Sequence, residues 1–267
     1  MQSAAPFFSV IIPTHKRPVL LERALKSVKS QDPSLPCEII VVADVANPAD
    51  DEVCNRLLGA GDIHIRRNGP PGPSQSRNLA IGLASGRYIL FLDDDDAWQP
   101  GFLAQLAQQQ AIQEDRLVYF DCMIATESRA ESPPRRLSEE PLDLSGRLNE
   151  LIYVRNQLPN SSLAIPRRLL TSIRFDTHMR AYEDWDFLLS LCEKEMARHV
   201  PVQGVMIFQA KDESTDHRGK SDGARDLNAL LDYLYVYRRH PAPSDEARQH
   251  RVNFLQQMGV SVAGDLV

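Results

Sequence analysis

Four consecutive aspartates, Asp93 to Asp96, directly follow the apolar segment RYILFL (residues 87–92). Carboxylates this close repel one another, and the carboxyl end of a strand gives them little local compensation. A bound divalent cation removes that repulsion, and hard oxygen donors suit Mg2+ or Mn2+. The plainer reading is a solvated acidic turn in which Asp96 caps the next helix. Location favours the metal, because ligands on α/β sheets collect beyond the carboxyl ends of the strands. A second acidic group, Glu183-Asp184-Trp185-Asp186, opens a segment whose Phe187, Leu188, Leu191 and Cys192 fall on one helical side. Acids in a first helical turn complement the macrodipole, which alone accounts for them. They also follow the turn-like FDTHMR segment, where a carboxylate faces a cleft equally well. The third group is GPPGPSQSRN, residues 69–78: an irregular loop ahead of a helix whose free N–H groups suit phosphate. Arg77 falls in that helix's first turn, where a cation opposes the dipole, so a functional reason for it is favoured.

These groups need a frame that brings strand ends and helix starts together. The first half alternates strand and helix patterns: strands at residues 7–13, 38–43, 63–66 and 87–92, and helices at 17–30, from Asn47-Pro48 to Gly59, and at 74–85. That order implies a mostly parallel central sheet with flanking helices. A helix is expected over 103–112 and a strand over 117–125. The charged, proline-rich stretch 126–146 reads as an exposed loop. A short helix near 148–154, an extended SSLAIP segment, a helix over 182–194 and a strand over 200–208 follow. Helices over 224–239 and 244–258 close the chain.

The chain has 267 residues, 43% hydrophobic and 25% charged, with a net charge of −6. A sizeable core can form, and the negative balance excludes a broad nucleic-acid footprint. No apolar run reaches membrane-spanning length, and the amino terminus lacks the form of a secretory signal. The scattered Cys37, Cys54, Cys122 and Cys192 include no CxxC pair and read as reduced, mostly buried thiols. A cytoplasmic location fits them. No Walker sequence and no GxGxxG occur.

The segments SVIIPTHKRP, EIIVVAD, SQSRNLAIGLASGRYILFLDDDD and YEDWDFLLSL together resemble the family-two inverting glycosyltransferases of GT-A fold. In that family a strand ends in Pro-Thr, a second ends in one or two acids, and a helix starts with Arg-Asn. An Asp-x-Asp follows an apolar strand, and a Glu-Asp pair comes later. The order matches over about residues 7–195. The resemblance implies a GT-A-like α/β fold: residues 1–125 as the nucleotide-sugar half, 126–223 as the acceptor-binding and catalytic half, and 224–267 as carboxy-terminal helices.

Roles follow residue by residue from the resemblance. Pro13 and Thr14 line the nucleotide pocket, and Asp44 accepts from the N3–H of uracil or thymine. Here Ala43 replaces a common first Asp, and VANPADD replaces a Gly-Ser-containing turn, which leaves the base open. Arg77 reaches the base or the diphosphate. Asp93 and Asp95 are the metal-binding pair, with Asp94 between them, and Asp184 is the catalytic base beside Glu183. The run 211–220 stands where related enzymes place a mobile loop, with His217, Arg218 and Lys220 as candidates for the metal or diphosphate. Asn160-Ser161-Ser162 resembles an acceptor-side stretch. The implied activity is Mn2+- or Mg2+-dependent transfer of a sugar from a UDP- or dTDP-sugar to a saccharide or lipid-linked saccharide in surface-glycan assembly. A lipid-linked acceptor brings peripheral contact with the inner membrane. The rival classes are a catalytically silent sugar-nucleotide-binding domain and a sugar-1-phosphate nucleotidyltransferase. The latter needs a glycine-rich basic loop that PTHKRP does not supply.

Overall fold

The computed structural model describes residues 5–211, 227–264 and 267. Strand β1 (Phe8–Thr14) is buried along its whole length. That unbroken burial is the mark of a parallel strand covered on both faces. Helix α1 (Pro18–Lys29) covers it with Leu20, Leu21, Ala24, Leu25 and Val28. Strand β2 (Cys37–Ala43) leads to α2 (Pro48–Leu57), where the Asn47 side chain accepts from Ala49 N at 3.0 Å and proline occupies the first turn. Strand β3 (Ile63–Arg66), helix α3 (Pro73–Leu83) and strand β4 (Tyr88–Phe91) complete the expected alternation. Gly86 lets β4 begin hard against β1, since a Cβ there would lie 2.6 Å from Ser9 N.

Register sets the site. In the parallel ladder Thr14 lies beside Ala43, Ala43 beside Arg66, and Ile11 beside Phe91. The residues just past three strands, His15, Asp44 and Asp93, are thereby delivered to one edge of the sheet.

The second half adds β5 (Ala97–Trp98), α4 (Phe102–Ala107), α5 (Gln110–Gln113), β6 (Val118–Ser128), β7 (Arg135–Leu142), β8 (Leu163–Pro166), α6 (Glu183–Lys194), β9 (Arg198–Ala210), α7 (Leu227–Arg239) and α8 (Asp245–Gln257). The sheet runs β3-β2-β1-β4-β8-β6-β9-β5, with β7 on β6. Pairing is parallel from β3 to β4 and between β6 and β9, and antiparallel at β4–β8, β6–β8, β6–β7 and β5–β9. The α/β architecture is the expected one, and its parallel character is concentrated in the first half.

Two expectations are corrected. The stretch 126–146 is not an open loop: β6 continues to Ser128 and the chain returns as β7, from Ser128 beside Arg135 to Cys122 beside Leu142. Strand β7 is exposed almost throughout, so cross-strand hydrogen bonding rather than apolar alternation makes it a strand. The helix expected over 103–112 is broken at Gln109, whose ψ of 132° is extended, so that Ala111 and Ile112 turn to the core. The four cysteines are free, three of them buried. No helix among the described residues is long and apolar enough to cross a membrane.

Candidate active site

A cleft of about 1390 Å3 opens along the carboxyl edge of the parallel strands, and both acidic groups line it. A turn closed by Asp96 N donating to Asp93 O (3.0 Å) folds the aspartate run so that its members diverge. The side chains of Asp93 and Asp95 stay 43% and 17% exposed, whereas that of Asp94 is 8% exposed and Asp96 as a residue only 4%. Asp94 accepts from Thr14 Oγ1 at 2.8 Å and from His15 N at 3.2 Å, tying the run to the end of β1. Burial pushes its carboxyl up to about 6. Asp96 accepts from Phe208 N at 3.0 Å, and burial, then Asp93 and Asp95, hold it well above the usual carboxylate range. It anchors the run to β9 and does not cap a helix.

Cations answer the two cleft-facing acids. Asp95 Oδ2 lies 3.2 Å from both Arg17 Nη1 and Arg129 Nη2. Arg23 donates to the Asp95 carbonyl, and buried Glu127 accepts from Arg23 and, at 2.7 Å, from Arg129 Nε. Asp93 Oδ1 accepts from Arg77 Nη2 at 2.8 Å, and the same guanidinium donates from Nη1 to Glu183 Oε1 at 3.2 Å. One buried arginine on α3 thus joins the two acidic groups across 90 residues of sequence.

Glu183 and Asp184 stand in the first turn of α6, whose first-turn acids complement the macrodipole. Asp184 Oδ1 accepts from Trp185 N at 2.8 Å and Oδ2 from Asn156 Nδ2 at 3.1 Å. Burial, then the neighbouring Glu183, raises Asp184 to about 7, with Arg77 opposing the shift. The residue before the helix, Tyr182, has φ +62°, a left-handed conformation costly for a bulky side chain. Its ring packs 4.3 Å from that of Tyr233 on α7. Helix α7 also holds the preceding turn, with Asp232 Oδ2 accepting from Arg180 N and Ala181 N at 3.2 and 2.9 Å.

Pro13, Thr14 and Asp44 also line the cleft wall. Asp44 is buried, with Oδ1 2.6 Å from His15 Nδ1 and Oδ2 accepting from Gly72 N at 2.8 Å. Arg67 shapes the Gly-Pro loop by donating to the Pro70 and Gly72 carbonyls, Gln75 Oε1 and Ser76 Oγ, all at 2.8–2.9 Å.

The cleft therefore brings together Pro13, Thr14, Asp44, Arg77, Asp93, Asp94, Asp95, Glu183 and Asp184. His217, Arg218 and Lys220 lie outside the described residues. Asp186, next to the pair, serves structure: it is fully buried, 2.9 Å from His240 Nε2 and 3.2 Å from Arg239 Nε. Trp185 is likewise a core residue, its indole donating to Ile152 O at 2.6 Å. The hard oxygen donors of Asp93 and Asp95 at the cleft fit a divalent cation whose remaining ligands would come from a diphosphate. They do not converge as a preformed cage. Among the described residues the close three-ligand group is Asp121, Asp143 and His199, outside the cleft, where Asp121 is already bonded to Leu144 N (2.9 Å) and His199 Nε2 (2.8 Å). Arg17, Arg129, Glu127 and Asn156 went unnoticed in the sequence. Each reaches the site from another element, and none carries a local motif.

The model of the Glycosyl transferase family 2 matches residues 9–176. The chain is 31% identical over 245 residues to the putative colanic acid biosynthesis glycosyl transferase WcaA of Escherichia coli K12, covering 91% of this chain and 84% of that protein. It is 37% identical over 125 residues to the GalNAc(5)-diNAcBac-PP-undecaprenol beta-1,3-glucosyltransferase of Campylobacter jejuni, covering 46% of this chain and only 40% of the relative's length. In three dimensions it is similar to residues 1–349 of TarS from S. aureus in complex with UDP-GlcNAc, with TM-score 0.58 at 18% identity over 95% of this chain and 73% of that one. A GT-A sheet with two acidic groups meeting over its carboxyl edge, and a family match spanning the strands that deliver the first of them, lead to one conclusion: the chain belongs to the family-two glycosyltransferases.

Proposed function

We propose that this glycosyltransferase moves a sugar from a UDP- or dTDP-sugar to a hydroxyl of a saccharide or lipid-linked saccharide, with inversion and with Mn2+ or Mg2+. The reading rests above all on the Arg77 bridge, which sets Glu183 and Asp184 opposite Asp93 in one cleft. A donor diphosphate met by Arg17 and Arg129 beside Asp95 presents its anomeric carbon toward the first turn of α6. Asp184 takes the proton of the acceptor hydroxyl as its oxygen attacks from the face opposite the diphosphate. The C–O bond to the diphosphate breaks as the new glycosidic bond forms, so a single displacement inverts the anomeric centre. Asn156 and the Trp185 N–H fix the orientation of the Asp184 carboxylate. Arg77 holds Glu183 aside, and Arg17 and Arg129 are placed to meet phosphate oxygens. A cation held by Asp93 and Asp95 would screen the charge of the departing diphosphate.

In this reading residues 1–125 are the nucleotide half, 126–223 the acceptor-binding and catalytic half, and 224–267 carboxy-terminal helices. Relatives named for colanic acid and for undecaprenol-diphosphate-linked acceptors support a role in surface-glycan assembly. A lipid-linked acceptor would bring peripheral contact with the inner membrane, in this reading on its cytoplasmic side. The UDP-GlcNAc complex of TarS supports a uridine donor.

The test is thermal-shift screening of UDP, dTDP, GDP and CDP, with and without Mn2+, on wild type and Asp95→Ala. A ligand at 100 times its Kd adds about 2.7 kcal/mol of stability. Metal-dependent stabilisation by UDP or dTDP that disappears in the variant is the expected result. No shift with any nucleotide removes the reading.

A further inference from the structure

Asn160 begins the 3-10 turn Asn160–Ser162 just ahead of β8 and lines the cleft at 7% exposure. Among the described residues neither its Oδ1 nor its Nδ2 has a hydrogen-bond partner. A buried primary amide with both ends unmet is costly in a finished interior. Gln157 Nε2 is unmet as well, but Gln157 does not line this cleft. Ser162 donates from both N and Oγ to Pro159 O (2.9 and 2.7 Å), and Asn156 donates to Asp184. Asn160 is the residue of this segment whose unmet side chain borders the cleft.

The fold fixes where that amide stands. Strand β8 runs antiparallel to β4, with Ala164 beside Leu90, so the residues before β8 lie alongside the start of the aspartate run. The same turn packs on α6, the helix that begins with Glu183 and Asp184. Asn160 is therefore between the aspartate run and the first turn of α6, which carries the proposed base Asp184. In a single displacement that interval is filled by the ring being transferred.

We infer that Asn160 is a specificity-determining residue whose side-chain amide hydrogen-bonds the transferred sugar of the donor. Vicinal pyranose hydroxyls each donate and accept, so one pair meets both the Nδ2 and the Oδ1 of an amide. A site built to hydrogen-bond a hydroxyl discriminates strongly against a sugar lacking it or bearing it on the wrong face. The inference rests on the transferase reading above and adds the group that reads the sugar.

The experiment compares, with Mn2+ present, the affinities of UDP, UDP-glucose and UDP-galactose for wild type, Asn160→Ala and Asn160→Asp by calorimetry. Wild type is expected to separate the two epimers. Asn160→Ala is expected to weaken the better-bound sugar nucleotide about tenfold and narrow that separation, with UDP affinity within about twofold of wild type. Asn160→Asp, which puts a charge beside Asp93 and Asp184, weakens it further. Without ligand, Asn160→Ala melts at or above the wild-type temperature, because it removes an unmet amide. Equal losses for UDP and UDP-sugar, no loss for either, a rise in acceptor KM alone, or a clear drop in the unliganded melting temperature overturns the inference. No binding of any of the three nucleotides by wild type overturns the uridine-donor reading along with it.

Discussion

At Asp184 the demands of folding and of the proposed proton transfer oppose each other. Burial and Glu183 raise the carboxyl to about 7, which suits a base working near neutrality. The same shift penalises the charged form in the folded protein. Because the folded value lies above the unfolded one, the stabilising effect of the protonated form is complete below pH 3.8 and is lost as pH rises through 7. Asp94, raised to about 6 by burial, adds loss in the same sense between pH 3.8 and 6. Asp184→Asn should therefore melt higher than wild type at pH 8, converge with it near pH 4, and lower kcat by about 10^3-fold, within the range for loss of a general base. Scanning calorimetry across pH and initial rates at saturating substrate read the two effects, and a variant both less stable and inactive at pH 8 would contradict the assignment. In wild type kcat/KM should fall tenfold per pH unit below about 7, the value of the free enzyme. Arg77 invites a subtler substitution. A lysine keeps the charge but not the fork that spans Asp93 and Glu183. Arg77→Lys should lower kcat by about 10–100-fold, the scale expected of misplacement, with the melting temperature little changed. Unaltered kinetics would remove Arg77 from the positioning of the pair.

The elements differ in how far they could be read in advance. Strands β1, β2 and β4 carry unbroken apolar runs, and α3 and α6 have clear stripes and starts, so the frame and its two acidic groups were legible. The β6–β7 hairpin was not. RRLSEEPL has neither alternation nor an apolar face, and it becomes a strand only because β6 offers an edge to pair with. With the hairpin went Glu127 and Arg129, whose relation to Asp95 spans more than 30 residues and leaves no local pattern. Asn160 was met only within a stretch that resembles an acceptor side, and Asp232 was illegible, the significance of each being a matter of what faces it. Glu127 is buried between Arg23 and Arg129 and balances two guanidinium groups that also reach Asp95. Glu127→Ala leaves that positive charge uncompensated, at a cost of about 3 kcal/mol for breaking a buried pair. It also leaves Asp95 more firmly engaged by arginine. The expected outcome is a lower melting temperature together with Mn2+ affinity weakened about fivefold, about 1 kcal/mol, read by calorimetry without nucleotide. Unchanged Mn2+ affinity would separate the hairpin from the metal.

At the scale of the molecule, one buried arginine adds to the ties that hold the carboxy-terminal helices on the rest of the chain. Arg251 on α8 is fully buried and donates to Tyr153 O at 2.8 Å, to Tyr237 O at 3.3 Å and to His240 O, joining α8 to the end of α7 and to the turn Glu150–Tyr153. That turn supplies the Ile152 carbonyl bound by Trp185, one residue from the base. The guanidinium also lies 4.2 Å over the Tyr237 ring. Burial lowers its pKa to about 10, still high enough for it to be charged at neutral pH. Arg251→Met keeps much of the volume but strands three carbonyls, at roughly 3 kcal/mol or more in total. For a chain of this size that corresponds to a fall in Tm of about 6–12 °C. Because every partner is a backbone carbonyl outside the cleft, the catalytic groups keep their own hydrogen bonds. The kcat of folded protein at low temperature should stay within about threefold of wild type, since a structural loss acts on the folded fraction. Thermal melts and low-temperature rates on the same samples decide the matter. A small change in Tm with a large loss of kcat would mean that α8 acts on the position of Asp184 directly rather than on the cohesion of the whole.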